Sequence, residues 1–520
     1  MLSSRMITAC LCAIVATATC FAQTKTSFST VNTSDNAGSN AFWDPVNIYT
    51  VDVNNDGIPD LIQDMKRSGS NNSVGVFGVS IANGDGTFKP AVAYHYPSGV
   101  LQAPFAFGDF NGDGHVDIAL TAPGKNYLAV YLGNGNGTFQ APKLSNIPMS
   151  AGQSMAASPL VAADFNHDGK LDLGIVGADN TNTTVYILPG NNTGTFSTAH
   201  SVFTAPTAES VWGSAVHNFV LGDFDADGNG DIALTTTTSN QATGDVSSTT
   251  IHVLYGEGNF LFTNTAPFHI DSQIEMNSGD LNSDGRTDLF AYDMNNFRLD
   301  TFYAQTGRTF ATYTQSIPRV SYDFSQYTPG LSMADFNDDG RMDLVTTNPM
   351  SGKINMMFFL ATTSPGQFTA QTWSVVTTAT NYNNTQAVIG DFNRDNKPDF
   401  AFVQSWAGAV IHTGLNKTVN GSWGSCAYPH AGQGIRLCSP ASSTSTTTVN
   451  FSAAARSFGE LRKLEVWVDG KKLVEQHHAW DGYAYLNFKS TLAAGTHKGA
   501  IFAADVDNRL QKLPFTLTVK

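Results

Sequence analysis

Through residues 44–415 the chain is written as short apolar runs, broken by clusters of Gly, Asn, Asp, Ser and Thr. Asp117-Ile-Ala-Leu, Asp172-Leu-Gly-Ile, Asp231-Ile-Ala-Leu and Asp343-Leu-Val-Thr have the length and bounds of β-strands. Each is preceded by a run ending in a small residue: Gly108, Ala163, Gly222, Gly279, Ala334 or Gly390, with Val51 in the first copy. Each is followed by a third run, such as 128–132, 184–188 or 250–255. That run ends in a turn like Asn83-Gly-Asp-Gly-Thr-Phe88 or Asn134-Gly-Asn-Gly-Thr-Phe139, more loosely Gly194-Thr-Phe196 and Gly307-Arg-Thr-Phe310. Gly after Asn or Asp at paired positions is a strong hairpin signal. A fourth run then leads into the next unit.

Between the first and second runs of each unit lies a nine-residue loop, clearest in Asp109-Phe-Asn111-Gly-Asp113-Gly114-His-Val-Asp117. Oxygen-bearing side chains stand at positions 1, 3, 5 and 9. Glycine at position 6 allows the positive φ that closes the loop without a Cβ clash. Hard cations such as calcium take six to eight oxygen ligands, and a sharp loop aims several carboxylates and a carbonyl at one point. The loop occurs seven times, starting at Asp52, Asp109, Asp164, Asp223, Asp280, Asp335 and Asp391, with spacings of 57, 55, 59, 57, 55 and 56 residues. Such a period marks a repeat architecture.

The expected side-chain ligands are Asp52, Asn54, Asp56 and Asp60 in the first loop and Asp109, Asn111, Asp113 and Asp117 in the second. The third and fourth offer Asp164, Asn166, Asp168 and Asp172, then Asp223, Asp225, Asp227 and Asp231. The fifth and sixth offer Asp280, Asn282, Asp284 and Asp288, then Asp335, Asn337, Asp339 and Asp343. The seventh offers Asp391, Asn393, Asp395 and Asp399. Position 7 would give its backbone carbonyl, which suits the variety found there: Ile58, His115, Lys170, Asn229, Arg286, Arg341 and Lys397. The seventh loop has Asn396 in place of glycine; Asn tolerates positive φ well, so binding is expected there too. For any one loop a metal-free turn held by Asx hydrogen bonds is the alternative; seven in-phase copies favour up to seven Ca²⁺ ions.

Four strands per unit and seven units describe an all-β, seven-bladed β-propeller. Innermost strands converge on a central channel, which accounts for the small residue before each loop. The aromatics after most first aspartates (Phe110, Phe165, Phe224, Phe336, Phe392) should pack between adjacent blades as ordinary core. The last unit lacks a convincing fourth strand, and Ser27-Phe28-Ser29-Thr30 resembles Thr195-Phe196-Ser197-Thr198, which opens a fourth strand elsewhere. The N-terminal strand is therefore expected to complete the last blade, covering edges that would otherwise be exposed. The propeller is placed at 23–420, with a linker at 421–446 and a small Ig-like β-sandwich at 447–520, where 461–468, 472–476, 483–488, 498–504 and 513–519 alternate like strands and Asp469-Gly470 marks a hairpin.

Only 14% of the 520 residues are charged, which fits many short strands better than long surface helices. The formal net charge of −15 does not require a basic partner: 22 aspartates occupy ligand positions, three per loop plus Asp225, and bound calcium would neutralise most of the excess. No basic patch points to nucleic acid. Residues 1–22 have the form of a secretory signal peptide, with Arg5, an apolar run and Cys20-Phe21-Ala22 before Gln23; Thr17 and Thr19 fit a lipoprotein signal at Cys20 poorly. Beyond it, Cys426 and Cys438 form an even pair suited to one disulfide. No further run is long enough to span a membrane.

The repeats resemble the FG-GAP/VCBS family, whose relatives include the calcium-binding blades of integrin α-subunits. The likeness rests on Phe107-Gly108-Asp109 with its loop, Val220-Leu-Gly222-Asp223, Val388-Ile-Gly390-Asp391 and the Gly-Asn-Gly-Thr-Phe turns, across residues 44–415. It implies calcium on one face and partner binding by second-to-third-strand loops on the other, here 64–72, 177–183 and 235–248. The tail, with Leu464-Glu-Val-Trp-Val-Asp-Gly470 and Gly495-Thr-His497, looks like bacterial secreted Ig-like modules. No His-Glu-x-x-His, Gly-x-Ser-x-Gly, phosphate loop or Arg-Gly-Asp occurs, and His477-His478 reads as an exposed strand edge. The expectation is a secreted, non-enzymatic calcium-binding module for an extracellular protein or glycan. A lectin using inter-blade pockets, with Trp212 or Trp406 exposed, and a lyase- or lipase-type enzyme are the alternatives.

Overall fold

The computed structural model describes residues 26–520 except 36–42, 68–74, 98–99, 101–102, 123, 157–158, 180, 207–215, 240–245, 273, 283, 294–295, 318–329, 338, 351–352, 377–382, 385, 396, 406–408, 419–425, 427–433, 458–460, 477–482 and 506–509. The signal segment, Asn396, Trp212, Trp406 and His477-His478 lie outside the described residues. Seven antiparallel sheets follow one another along the chain, each a meander in which neighbouring runs pair directly. In blade 2, Phe105–Gly108 is innermost, followed outward by Asp117–Thr121, Tyr127–Tyr131 and Lys143–Asn146. The inner strands of the others are Trp43–Val51, Val161–Ala163, Val216–Gly222, Ile274–Gly279, Leu331–Ala334 and Val388–Gly390.

Alternating side chains on each strand go to the two faces of its sheet, so each blade buries both faces against its neighbours. The core is accordingly seven clusters, one per blade junction. Between blades 7 and 1 it gathers Ile48, Leu61, Phe88, Phe392 and Ile411. Between blades 4 and 5 it gathers Phe224, Tyr255, Leu289 and Phe302. The seventh sheet is completed by Phe28–Asp35, antiparallel to Ala409–Asn416 in register Phe28↔Asn416 to Asp35↔Ala409. Phe28 reaches the blade 6/7 cluster, 4.8 Å from Phe358 and 5.0 Å from Phe400 between ring centroids.

At three of the glycines before the loops, a neighbouring blade leaves no room for a side chain. A Cβ on Gly108 would stand 2.3 Å from Leu171 Cδ1, one on Gly222 2.8 Å from Thr287 Cγ2, and one on Gly390 3.0 Å from Pro59 Cγ. Each of these contacts is position 8 of the next blade's loop. The glycine is the socket for that side chain.

The remaining sheets form the C-terminal module. Gly434–Ser439, Thr448–Arg456 and Tyr483–Thr491 make one sheet. Ser443–Thr444, Leu510–Val519, Gly495–Asp505, Leu461–Val468 and Lys471–Gln476 make the other, in that order. One core of Val449, Phe451, Leu464, Val466, Leu486 and Ile501 lies between them. The stretch 421–446, expected as a linker, thus supplies two strands of this module. Gly434–Ser439 pairs with Thr448–Arg456, and Ser443–Thr444 runs parallel to the last strand. Cys426 and Cys438 are disulfide-bonded, with Cα atoms 5.4 Å apart, so the bridge belongs to the module's first strand.

Candidate metal loops and the central channel

All seven loops lie at the same end of the ring, where each inner strand hands over to the second. In loop 2, Asp109 Oδ1 accepts from Gly112 N at 2.7 Å and Asp113 N at 3.1 Å, and Oδ2 accepts from Gly114 N at 2.8 Å. Asn111 Oδ1 accepts from Asp113 N, and Asp113 Oδ1 from His115 N, both at 2.9 Å. The same ladder recurs in the other loops, for example at Asp52, Asp164, Asp223, Asp280 and Asp335 with the position-6 N–H at 2.7–3.1 Å. Side-chain oxygens at positions 1, 3 and 5 (an Asn amide at position 3 in every loop but the fourth) are thereby turned into the loop. Asp223, Asp225 and Asp227 bring their oxygens within 4.8 Å of one another, the one such acidic cluster among the described residues.

Position 6 has the expected left-handed φ, from 81° to 93° at Gly57, Gly114, Gly169, Gly228, Gly285 and Gly340. Position 4 is left-handed as well, at Asn55, Gly112, His167, Ala226 and Arg394, with φ of 59° to 77°. Its variable residue types hide this in the sequence. Non-glycine residues pay steric strain in that region, and the ladder around them holds them there.

Position 9 has a second task. Asp117 Oδ2 accepts from Phe110 N at 2.9 Å, and Oδ1 from Gly133 N, past the third strand, at 2.8 Å. The pattern is the same at Asp60, Asp172, Asp231, Asp288, Asp343 and Asp399. Each is fully buried. This carboxylate pins position 2 of the loop to the end of the third strand, a role the nine-residue spacing alone does not reveal. Burial pushes the Asp117 and Asp172 carboxyls up to about 7 and Asp231 to about 9, against backbone N–H groups that pull down and loop aspartates that push further up. A nearby cation would favour the ionised form of these groups. The donor set therefore fits a hard divalent ion.

Loops 1, 2 and 7 are also docked on by a backbone bond from the following blade. Gly137 N donates to Val53 O at 3.1 Å, Gly194 N to Phe110 O at 2.9 Å and Gly86 N to Phe392 O at 3.0 Å. In each case the third-to-fourth-strand turn lands on position 2 of the preceding loop. The turn's Phe packs edge-on against the aromatic there, as in Phe196–Phe110, Phe88–Phe392 and Phe310–Phe224. Side chains extend the circle: Asn55 Nδ2 donates to His115 Nδ1 at 2.9 Å, and His167 Nε2 donates to Asn229 Oδ1 at 2.6 Å. Position-7 cations turn back onto position 5, Lys170 to Asp168 at 3.0 Å and Arg286 to Asp284 at 2.6 Å. The extra acid of loop 4, Asp225, is met by Arg308 of the next blade at 2.8 Å.

The inner strands enclose a channel of about 480 Å³ lined by residues such as Thr50, Phe107, Leu221, Asn277, Ser332 and Gln386. Its lining at the loop end includes Asp52 together with Arg456 and Ser457 of the C-terminal module. Burial, reinforced by the Asp64 charge, pushes the hydroxyl of Tyr49, another lining residue, well above its usual range. The second-to-third-strand connections are at the opposite end. Among them, Asp179 Oδ1 holds a tight turn by accepting from Thr181 N and Asn182 N, each at 2.7 Å.

Residues 109–175, 164–234, 280–346 and 335–402 match the FG-GAP-like repeat. Integrin alpha-PS5 of Drosophila melanogaster is 31% identical over 139 residues, 24% of this chain and 14% of that protein. The chain thus spans a small part of the length of this relative. Among solved structures, BBS1N in its complex with ARL6DN is similar over 77% of this chain and 99% of its own, at 10% identity and a TM-score of 0.44. A fibronectin(III)-like module of Clostridium thermocellum CbhA covers 16% of this chain and 96% of its own, at 20% identity and a TM-score of 0.15. Among the described residues no helix is long and apolar enough to cross a membrane.

Proposed function

Because the chain is an FG-GAP repeat protein with integrin-α-like repeats, we propose that it is a secreted propeller, stapled by calcium, that binds an extracellular protein or glycan. Calcium is the metal of choice because the loops offer only oxygen donors, and carboxylates and carbonyls at a flexible turn suit its coordination. Up to seven ions, one per loop, would sit between positions 1, 3, 5 and 9 and the position-7 carbonyl.

The observation that carries this reading is the sevenfold use of the loop end to hold the ring's own turns. Positions 1, 3, 5 and 9 hold their own loops, and in loops 1, 2 and 7 position 2 receives the next blade's turn. A surface so committed to its own architecture is a poor place for a variable partner. The opposite end, with 64–72, 177–183 and 235–248, differs from blade to blade and is where we place recognition. The C-terminal module, which we read as Ig-like, is held at the calcium end and leaves that surface open. The disulfide and the signal-like start support an extracellular location.

Two measurements test this. Differential scanning calorimetry should show a melting temperature lowered sharply by excess EDTA and restored by calcium; an unchanged melt sinks the metal assignment. A screen of glycans and extracellular proteins should give ligands that bind only the calcium-loaded form and are lost when 177–183 is replaced by a Gly-Ser loop. Ligands unaffected by that replacement and by those at 64–72 and 235–248 would move recognition elsewhere.

A further inference from the structure

Arg456 ends the strand Thr448–Arg456 of the C-terminal module, yet its guanidinium lies at the rim of the propeller channel. Its Nη2 is 2.5 Å from Asp52 Oδ2, and the two side chains are 3% and 1% exposed. Asp52 is position 1 of loop 1, and the same Oδ2 already accepts from Gly57 N at 2.7 Å. A second arginine, Arg394, reaches the loop from blade 7, 3.6 Å from the Asp56 carboxylate.

We propose that loop 1 takes the guanidinium of Arg456 in place of a calcium ion, and that this ion pair docks the C-terminal module on the ring. The inference rests on the calcium reading of the other loops. A buried cation at hydrogen-bond distance from the position-1 carboxylate satisfies the charge that the metal would otherwise balance. It also opposes entry of a divalent ion, because like charges a few ångströms apart in a water-poor site repel strongly. Breaking a buried pair by removing one partner leaves the other charge uncompensated. Loop 1 without Arg456 therefore loses the buried cation at its position-1 carboxylate. The cations at other loops meet other carboxylates and stay partly in solvent: Arg308 pairs with Asp225 at position 3, and Lys170, Arg286 and Arg341 pair with position 5, each cationic side chain more than a fifth exposed.

The test is the number of calcium ions per chain, by isothermal titration and by elemental analysis after desalting. It is made on the full chain, on Arg456→Gln and on the charge-preserving Arg456→Lys. Arg456→Gln is expected to bind one calcium more than the wild type, and Arg456→Lys the same number as the wild type. Equal numbers in wild type and Arg456→Gln overturn the inference while leaving the calcium reading intact. No calcium in any of the three overturns the reading and the inference together. Melting in EDTA shows whether Arg456→Gln is folded; should it fail to fold, the wild-type count decides alone, with a stoichiometry of seven overturning the inference and six supporting it.

Discussion

At the scale of single residues, position 9 does more than its place in the spacing suggests. Asp113 at position 5 is exposed, whereas Asp117 is fully buried and accepts two backbone N–H groups with its two oxygens. Removing the Asp117 carboxylate orphans Phe110 N and Gly133 N, at about 1–3 kcal/mol for each buried unsatisfied group. Asp117→Ala should therefore lower stability in urea by roughly 2–6 kcal/mol even in EDTA. Asp113→Ala should cost less than about 0.5 kcal/mol in EDTA, as a surface change, and show its larger effect only with calcium. Equal losses for both variants in EDTA would contradict this division of labour. The oxygen positions and the position-6 glycine were legible because their chemistry restricts residue type. Position 4 was not, since Asn, Gly, His, Ala and Arg all occupy the same left-handed turn.

At the scale of strands and turns, the alternating runs located the propeller strands well, because each needs apolar residues on both faces and a Gly/Asn-rich turn between. What periodicity could not show is which residue of one blade fits which residue of the next. The Gly108–Leu171 socket is such a pair, 63 residues apart in the chain and in different blades. Gly108→Ala should destabilise by about 1–3 kcal/mol through overpacking, because its Cβ would lie 2.3 Å from Leu171 Cδ1. Leu171→Ala should cost about 2–5 kcal/mol as a cavity. The double variant should lose less than the sum of the two, and strict additivity in a double-mutant cycle would show that the glycine is there for another reason. In the C-terminal module, Gly434–Ser439 and Ser443–Thr444 carry no strand signature. Ser, Thr, Gly and Pro around them read as linker, and only the pairing and the disulfide reveal them as sheet.

At the scale of the whole molecule, seven in-phase loops made the ring legible, while the docking of the module was not, since a lone Arg456 at a strand end carries no signature. The ring also decides how the molecule unfolds. Each blade touches only its neighbours, so an open array would behave as a chain of nearest-neighbour terms that can fray from either end. Phe28–Asp35 removes those ends by joining the first residues to blade 7 across eight paired positions. Phe28 adds contacts to Phe336, Phe358, Trp373 and Phe400. Lys417 N donates to Ser27 O at 2.6 Å, and Gln371 Nε2 to Thr26 O at 2.8 Å, so the strap is tied to blades 6 and 7 together. A chain lacking residues 26–35 would expose the edge of Ala409–Asn416, a template for pairing with other chains. It should melt at lower temperature, unfold over a broader urea range with a smaller m-value, and self-associate at concentrations where the full chain is monodisperse. A synthetic peptide of residues 26–35 added in excess should bind the truncated chain and restore the sharp transition, whereas the same peptide with Phe28→Ala should do so more weakly. A truncated chain that melts like the full one would show that blades 1 and 7 hold together through Ile48, Phe88 and Phe392 without the strap.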